Sequence, residues 1–214
     1  MENSGLDNNE AWKPVMCDRM KALYESASKT MKFCLIVGFL KKLKRAGWIR
    51  ENVKESESVA DHMYRMAVLM LTLPDGNVDK IRCIKMALVH DLAESLVGDI
   101  TPYDPVTKER KFEMEIESLR QIGSFLEDRQ IAIEICDLFE EFEKGITEEA
   151  CYVQDADKFD MILTALEYET YDADHQLDSF FNSTRNIFRT GTFQTLQKEV
   201  TSLRQTVLQK QCLQ

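Results

Sequence analysis

The residues best placed to do chemistry are few. The chain has only three histidines, at 62, 90 and 175. His90 opens the run His90-Asp91-Leu92-Ala93-Glu94, directly after the apolar Met86-Ala87-Leu88-Val89. On a helix, His90 and Glu94 stand about 40° apart around the axis, and Asp91 and Glu94 about 60°. An imidazole and two carboxylates leaving one narrow arc beside an apolar run need a reason, because buried ionisable groups are costly unless paired or bound to metal. His62 lies among Val59, Ala60, Met63, Met66, Leu69 and Met70, again beside an apolar face. Asp155-Ala156-Asp157 precedes Lys158-Phe159-Asp160-Met161-Ile162-Leu163, which puts acids on another largely apolar helix. A lone helical histidine is more often a core residue than a ligand, and an acidic helix face is more often solvated. His on one helix, His-Asp with Glu three residues on, and Asp on a later helix form an ordered series that suits a metal ion. Two imidazoles and two carboxylates offer mixed nitrogen and oxygen ligation, which fits Mn, Fe, Co or Zn better than Mg.

The elements that must carry these groups read as helices. Eight Gly and four Pro in 214 residues are thin punctuation for an all-β chain. Helical periodicity predicts elements over about 30–44, ended by Gly47, and 59–73, with Ser58 as N-cap. It predicts others over 78–96 closed by Gly98, 107–126, 129–144 ended by Gly145, and from Thr147 to about Tyr171. A last helix follows Gly191, with Phe193, Leu196, Val200 and Leu203 in register. Leu73-Pro74-Asp75-Gly76 reads as a turn. In the 107–126 helix, Phe112, Ile116, Leu119 and Ile122 are expected inward and Glu113, Glu115, Glu117 and Arg120 outward. The expected fold is all-α, a single-domain helical bundle over 30–205. Residues 1–29 read as a partly flexible extension and 206–214 as a tail.

Composition narrows the function. A net charge of −10 leaves no overall basic stripe for nucleic acid. A bound cation could still supply local positive charge for an anionic substrate. The polar N-terminus lacks a signal core, and the apolar run Cys34–Leu40 is far too short for a membrane span. The chain reads as intracellular, in the cytoplasm, with no membrane partner. The six cysteines contain no C-x-x-C pair, and Cys34, Cys83 and Cys136 are expected as small buried hydrophobes. His175 lies in a polar stretch and reads as a surface residue. Phe180-Phe181 looks exposed, for packing or a dimer contact.

The series His62, His90-Asp91, Asp157 resembles the H…HD…D signature of the HD-domain metallophosphohydrolase superfamily. Glu57-Ser58-Val59-Ala60-Asp61-His62, His90 through Ile100, and Gln154-Asp155-Ala156-Asp157-Lys158 are similar to its 5′-deoxynucleotidase branch, of the HD domain-containing protein 2 type. The resemblance implies an all-helical, often dimeric phosphomonoesterase. It would hydrolyse deoxyribonucleoside 5′-monophosphates with a divalent ion, typically Mn or Co. It also implies His62, His90, Asp91 and Asp157 as ligands, with Asp157 rather than Asp155 as the last. Arg45 matches an arginine near the phosphate pocket. The bacterial branch has Trp directly after that arginine; here Ala46-Gly47 intervene before Trp48, which is either sugar-facing or a core residue. Glu94 is expected to orient or deprotonate the attacking water. Asp99 is expected to protonate the leaving group, bind the sugar, or hold a second ion with Glu94 and the Ile100 carbonyl. The alternatives are a phosphodiesterase, a triphosphohydrolase, or a non-catalytic helical module stabilised by metal. The chain is short and acidic for a triphosphohydrolase, and a closed structural site would not need Glu94.

Overall fold

The computed structural model describes residues 17–73, 78–172 and 176–211, with side chains to 208. Every regular element among them is helical, and the single β-bridge, Lys44 to Ser58, is isolated. The elements are α1 (Asp18–Ser26), α2 (Lys29–Val37), a 3₁₀ turn (Gly38–Lys41), α3 (Ala46–Arg50), α4 (Val59–Leu71), α5 (Lys80–Val89) and α6 (Glu94–Val97). They continue with α7 (Lys108–Gly123), α8 (Arg129–Lys144), α9 (Glu148–Tyr171), α10 (Asp178–Ser183) and α11 (Gly191–Gln211).

The helix starts follow local chemistry. The Ser58 hydroxyl accepts the Asp61 N–H at 3.2 Å while the Asp61 carboxylate accepts the Ser58 N–H at 2.8 Å, a reciprocal cap. Asp79, Thr107, Asp128 and Thr147 accept first-turn N–H groups of α5, α7, α8 and α9. Gly145 ends α8 in the left-handed region, at φ 59°.

α9 is the central post. It packs against α4, α5, α8, α10 and α11. Met66, Met70, Met86, Leu138, Val153, Phe159, Ile162 and Phe193 form one core around it. A second core, with Ile36, Leu40, Val59, Leu92, Leu119, Ile122 and Phe139, joins α2, α4, α7 and α8. Both cores border the segment holding His90 and Asp91. Among the described residues, no helix is long and apolar enough to cross a membrane.

Several expectations are corrected. The helix expected over 30–44 ends at Val37, and Gly47 lies inside α3 instead of stopping it. Arg45 is therefore the residue before α3, in extended conformation. The 78–96 helix is two helices with a tightened turn between them. Leu92, Glu94 and Ser95 donate to carbonyls three residues back, at 3.0, 3.1 and 3.2 Å. In 3₁₀ geometry residues three apart eclipse, so this break brings Glu94 nearer one line with Asp91. Glu115 is buried, not solvent-facing, while Glu113, Glu117 and Arg120 are exposed. Leu203 is half-exposed because Arg204 takes the inward place and pairs with Glu169 at 2.7 Å. Cys34 is exposed, Cys136 half-buried and Cys83 buried. Phe180 packs on Trp48, and Phe181 lies under the Arg204 guanidinium. His175 and most of the Leu73–Gly76 turn lie outside the described residues.

Candidate metal centre

The four expected ligands are delivered by three parts of the chain. His62 comes from the first turn of α4, His90 and Asp91 from the break after α5, and Asp157 from α9. Their atoms converge. His62 Nε2 lies 3.3 Å from Asp157 Oδ1 and 3.8 Å from Asp91 Oδ2, and His90 Nε2 lies 3.1 Å from Asp91 Oδ2. His62, His90 and Asp157 each offer a donor within 4.8 Å of the others.

The imidazoles are oriented from behind. His62 Nδ1 sits 2.6 Å from Asp160 Oδ2, and His90 Nδ1 sits 3.0 Å from the Ala87 carbonyl. Both partners are acceptors, so the neutral form of each ring keeps its proton on Nδ1 and leaves the Nε2 lone pair for a cation. Among the described residues, three buried side-chain polar atoms lack a hydrogen-bond partner: His62 Nε2, His90 Nε2 and Glu94 Oε2. Buried polar atoms are rarely left so. Nitrogen lone pairs converging beside carboxylate oxygens fit a divalent cation, and an acceptor behind each imidazole is the usual support for metal-binding histidine.

Asp160 is itself fixed. Arg65 pairs with it through Nε, bonds Glu167 at 2.8 and 2.9 Å, and contacts the Thr164 hydroxyl. Asp155 points elsewhere. It accepts from the backbone of Arg189 and Thr190 and from the Thr190 hydroxyl, tying α9 to the segment before α11.

The remaining expected residues ring the cluster. Arg45 Nη1 lies 3.5 Å from Asp91 and Nη2 3.6 Å from Asp157, with Nε 3.8 Å from Glu57. Asp99 accepts the Ala46 N–H at 2.7 Å, anchoring the start of α3 behind Arg45. Gly98, at φ 80°, makes the turn that sends Asp99 there. Ile100 follows, half-buried. Trp48 is 1% exposed, its N–H donates to Glu57 at 2.9 Å, and its ring lies against Tyr168 and Phe180. A core position, not a sugar-facing one, is what its surroundings describe.

Electrostatics follow this crowding. Burial opposes charge on Asp91, but His90, His62 and Arg45 hold it well below the usual carboxylate range. Asp157 is likewise held low against burial by Lys158, His62 and Arg45. Burial, with Asp91 and Asp99 nearby, pushes Glu94 well up. Burial and Arg45 oppose the His62 imidazolium, but Asp157 and Asp160 outweigh them and lift it to about 9. A cation at Nε2 would compete with that proton.

The HD-domain family profile matches residues 37–197. The chain belongs to the HD-domain family. A protein of Dictyostelium discoideum named 5′-deoxynucleotidase HDDC2 is 46% identical over 82% of this chain and 98% of its own length. The human protein of that name is 40% identical over 84% and 88%. A solved structure from Pyrococcus furiosus, titled a conserved hypothetical protein, superposes with a TM-score of 0.66 at 31% identity, covering 82% of this chain and 99% of its own. The yeast HD domain-containing protein YGK1 gives 0.64 at 27%, covering 89% and 95%.

Within this HD domain, sequence reasoning named Asp160 and Glu57 without a role, and Arg65 and Glu167 not at all. The signal for Asp160 was present: it lies three residues after Asp157, one helical turn along the same face.

Proposed function

We propose that this chain is a 5′-deoxynucleotidase that hydrolyses deoxyribonucleoside 5′-monophosphates to deoxynucleoside and phosphate. The observation that carries the reading is the pair of buried, unpartnered Nε2 atoms converging beside Asp91 and Asp157. The names of the HD-domain relatives supply the substrate class.

His62, His90, Asp91 and Asp157 would hold a divalent cation; two nitrogens and two oxygens suit Mn, Fe, Co or Zn better than Mg, and the family resemblance points to Mn or Co. When bound, the cation supplies Lewis-acid polarisation of the phosphoryl group and a water of lowered pKa. The chain's own residues do the rest. Asp160 and the Ala87 carbonyl keep both imidazoles in the ligating tautomer. Arg45 is suited to bind phosphate oxygens, since its planar fork matches them and its carboxylate contacts of 3.5 and 3.6 Å are loose. Asp99 holds the α3 start that aims Arg45. Glu94, buried with its Oε2 unpartnered beside Asp91, would take the proton of the attacking water. A second ion between Glu94, Asp99 and the Ile100 carbonyl stays within this reading, with one Asp99 oxygen already accepting the Ala46 N–H. The protein is expected to act as a homodimer. Exposed Tyr64, Val68 and Leu71 along one side of α4 support an association surface, which sedimentation tests.

The test is phosphate release from deoxy- and ribonucleoside mono-, di- and triphosphates with Mn, Co or Mg. Deoxynucleoside monophosphates are expected to be the best substrates. Glu94→Ala is expected to lower turnover by at least ~100-fold with metal content retained. Equal turnover on triphosphates would overturn the reading, and a fully active Glu94→Ala would remove Glu94 from the mechanism.

A further inference from the structure

A cavity of about 400 Å³ opens beside the ligand cluster. His90, Asp91 and Asp157 form one wall, and Lys111, Glu115 and Glu143 contribute to the rest. The volume is that of a small-ligand site. His90, whose buried Nε2 has no hydrogen-bond partner, belongs to its lining.

Glu115 has no part in the hydrolysis described above. It is 4% exposed, yet it lines this cavity. Its ion partner is Lys111, at 3.5 Å. Glu143 adds a second carboxylate near the Lys111 ammonium, with Lys158 also within electrostatic reach of Glu143 and Arg189 in the lining. Glu115, Lys111 and Glu143 all lie within electrostatic reach of Asp91. A buried carboxylate is costly unless paired; Lys111 pairs with Glu115 and so holds an ionised acceptor at the cavity edge.

A 5′-nucleotide with its phosphate at the cluster carries its sugar one ester bond away and its base beyond. Phe142 and Ile187 give the cavity apolar surface for a base. The sugar presents a 3′-hydroxyl donor, and an ionised carboxylate is an acceptor only. We propose that Glu115, held by Lys111, accepts the substrate's 3′-hydroxyl and, with Glu143, repels any phosphate at that position. The enzyme then takes 5′-monophosphates and rejects 3′,5′-bisphosphates and the 5′-ends of strands. Rejection by a misplaced like charge is an ordinary route to specificity. This inference rests on the nucleotidase reading and narrows its substrate class.

The test uses the full chain loaded with Mn at pH 8. It compares kcat/KM for dAMP and for deoxyadenosine 3′,5′-bisphosphate, with products separated by chromatography so that loss of the 5′-phosphate is read. The wild type is expected to favour dAMP by at least roughly tenfold, the scale of one charged hydrogen bond. In Glu115→Gln, KM for dAMP is expected to rise roughly tenfold, with a smaller change in kcat, and the preference to shrink by a similar factor. Metal content and unfolding temperature of the same preparation separate this from a folding defect. Equal kcat/KM on the two substrates overturns the inference from the wild type alone. So does a Glu115→Gln protein that keeps both its KM and its preference. If dAMP itself yields no phosphate, the nucleotidase reading fails and this inference with it.

Discussion

At the scale of single residues, the site depends on groups that never touch a substrate. Asp160 is the clearest. It is 1% exposed, bonds His62 Nδ1 at 2.6 Å, and is held in turn by Arg65. Removing such a support costs roughly 10–100-fold in metal affinity. Asp160→Asn is therefore expected to bind Mn more weakly by that factor while keeping its helical content. Titration of metal against the folded protein checks it, and unchanged affinity would remove Asp160 from the positioning role. Glu115 gives a pH prediction. Burial, opposed by Lys111 and reinforced by Glu143, raises its carboxyl to about 7. The unfolded value is near 4.3. The folded state thus binds the extra proton between those values, so the contribution is fully present below about pH 4.3 and is lost as pH rises through 7. Wild type should lose up to about 3 kcal/mol from this source between pH 4 and pH 8, and Glu115→Gln should not. Denaturant unfolding at several pH values reads the difference.

At the scale of elements, the decisive feature is the interruption between α5 and α6. A continuous helix would set Asp91 and Glu94 about 60° apart; the tightened turn, with the Glu94 N–H on the Asp91 carbonyl at 3.1 Å, brings the two positions nearer one line. The same economy governs helix ends. Gly145 closes α8 at φ 59°, and a Cβ there would meet the Gln154 side chain at 2.7 Å. Gly145 also offers its carbonyl to Arg189 at 2.8 Å. Gly145→Ala is expected to cost about 1–2 kcal/mol, from left-handed backbone strain and displacement of Gln154. Chemical denaturation measures it. A neutral or stabilising result would show that this turn relaxes freely.

At the scale of the whole molecule, the cation would join α4, the α5–α6 turn and α9, three parts of the chain far apart in sequence. Anything that binds only the folded state stabilises it by mass action. Mn at a hundred times its dissociation constant should add about 2.7 kcal/mol and raise the unfolding temperature. His90→Ala should lose most of that gain, because its Nε2 is one of the converging donors. A chelator should reverse the gain in the wild type. An unfolding temperature indifferent to Mn would count against a site that bridges these elements.

Much of this protein was legible in the chain itself. Local rules fixed the helical class, the bounds of α8 and α9, and the caps at Ser58, Thr147 and Gly145, since each depends on neighbours a few residues away. The series His62, His90-Asp91 and Asp157 could be picked out too, because it keeps a recognisable order, and the structure brings these side chains together. Glu115 could have been placed from periodicity, since 100° per residue sets it inside the arc of Phe112, Ile116, Leu119 and Ile122. Only the tertiary structure decided that Trp48 closes against Phe180, that Asp155 ties down Arg189 and Thr190 while Asp157 faces the histidines, and that Arg65 locks Asp160 behind His62. Those outcomes turn on which side chains from distant segments meet. Helical periodicity says which way a residue points from its own axis, but not what another helix brings to that place.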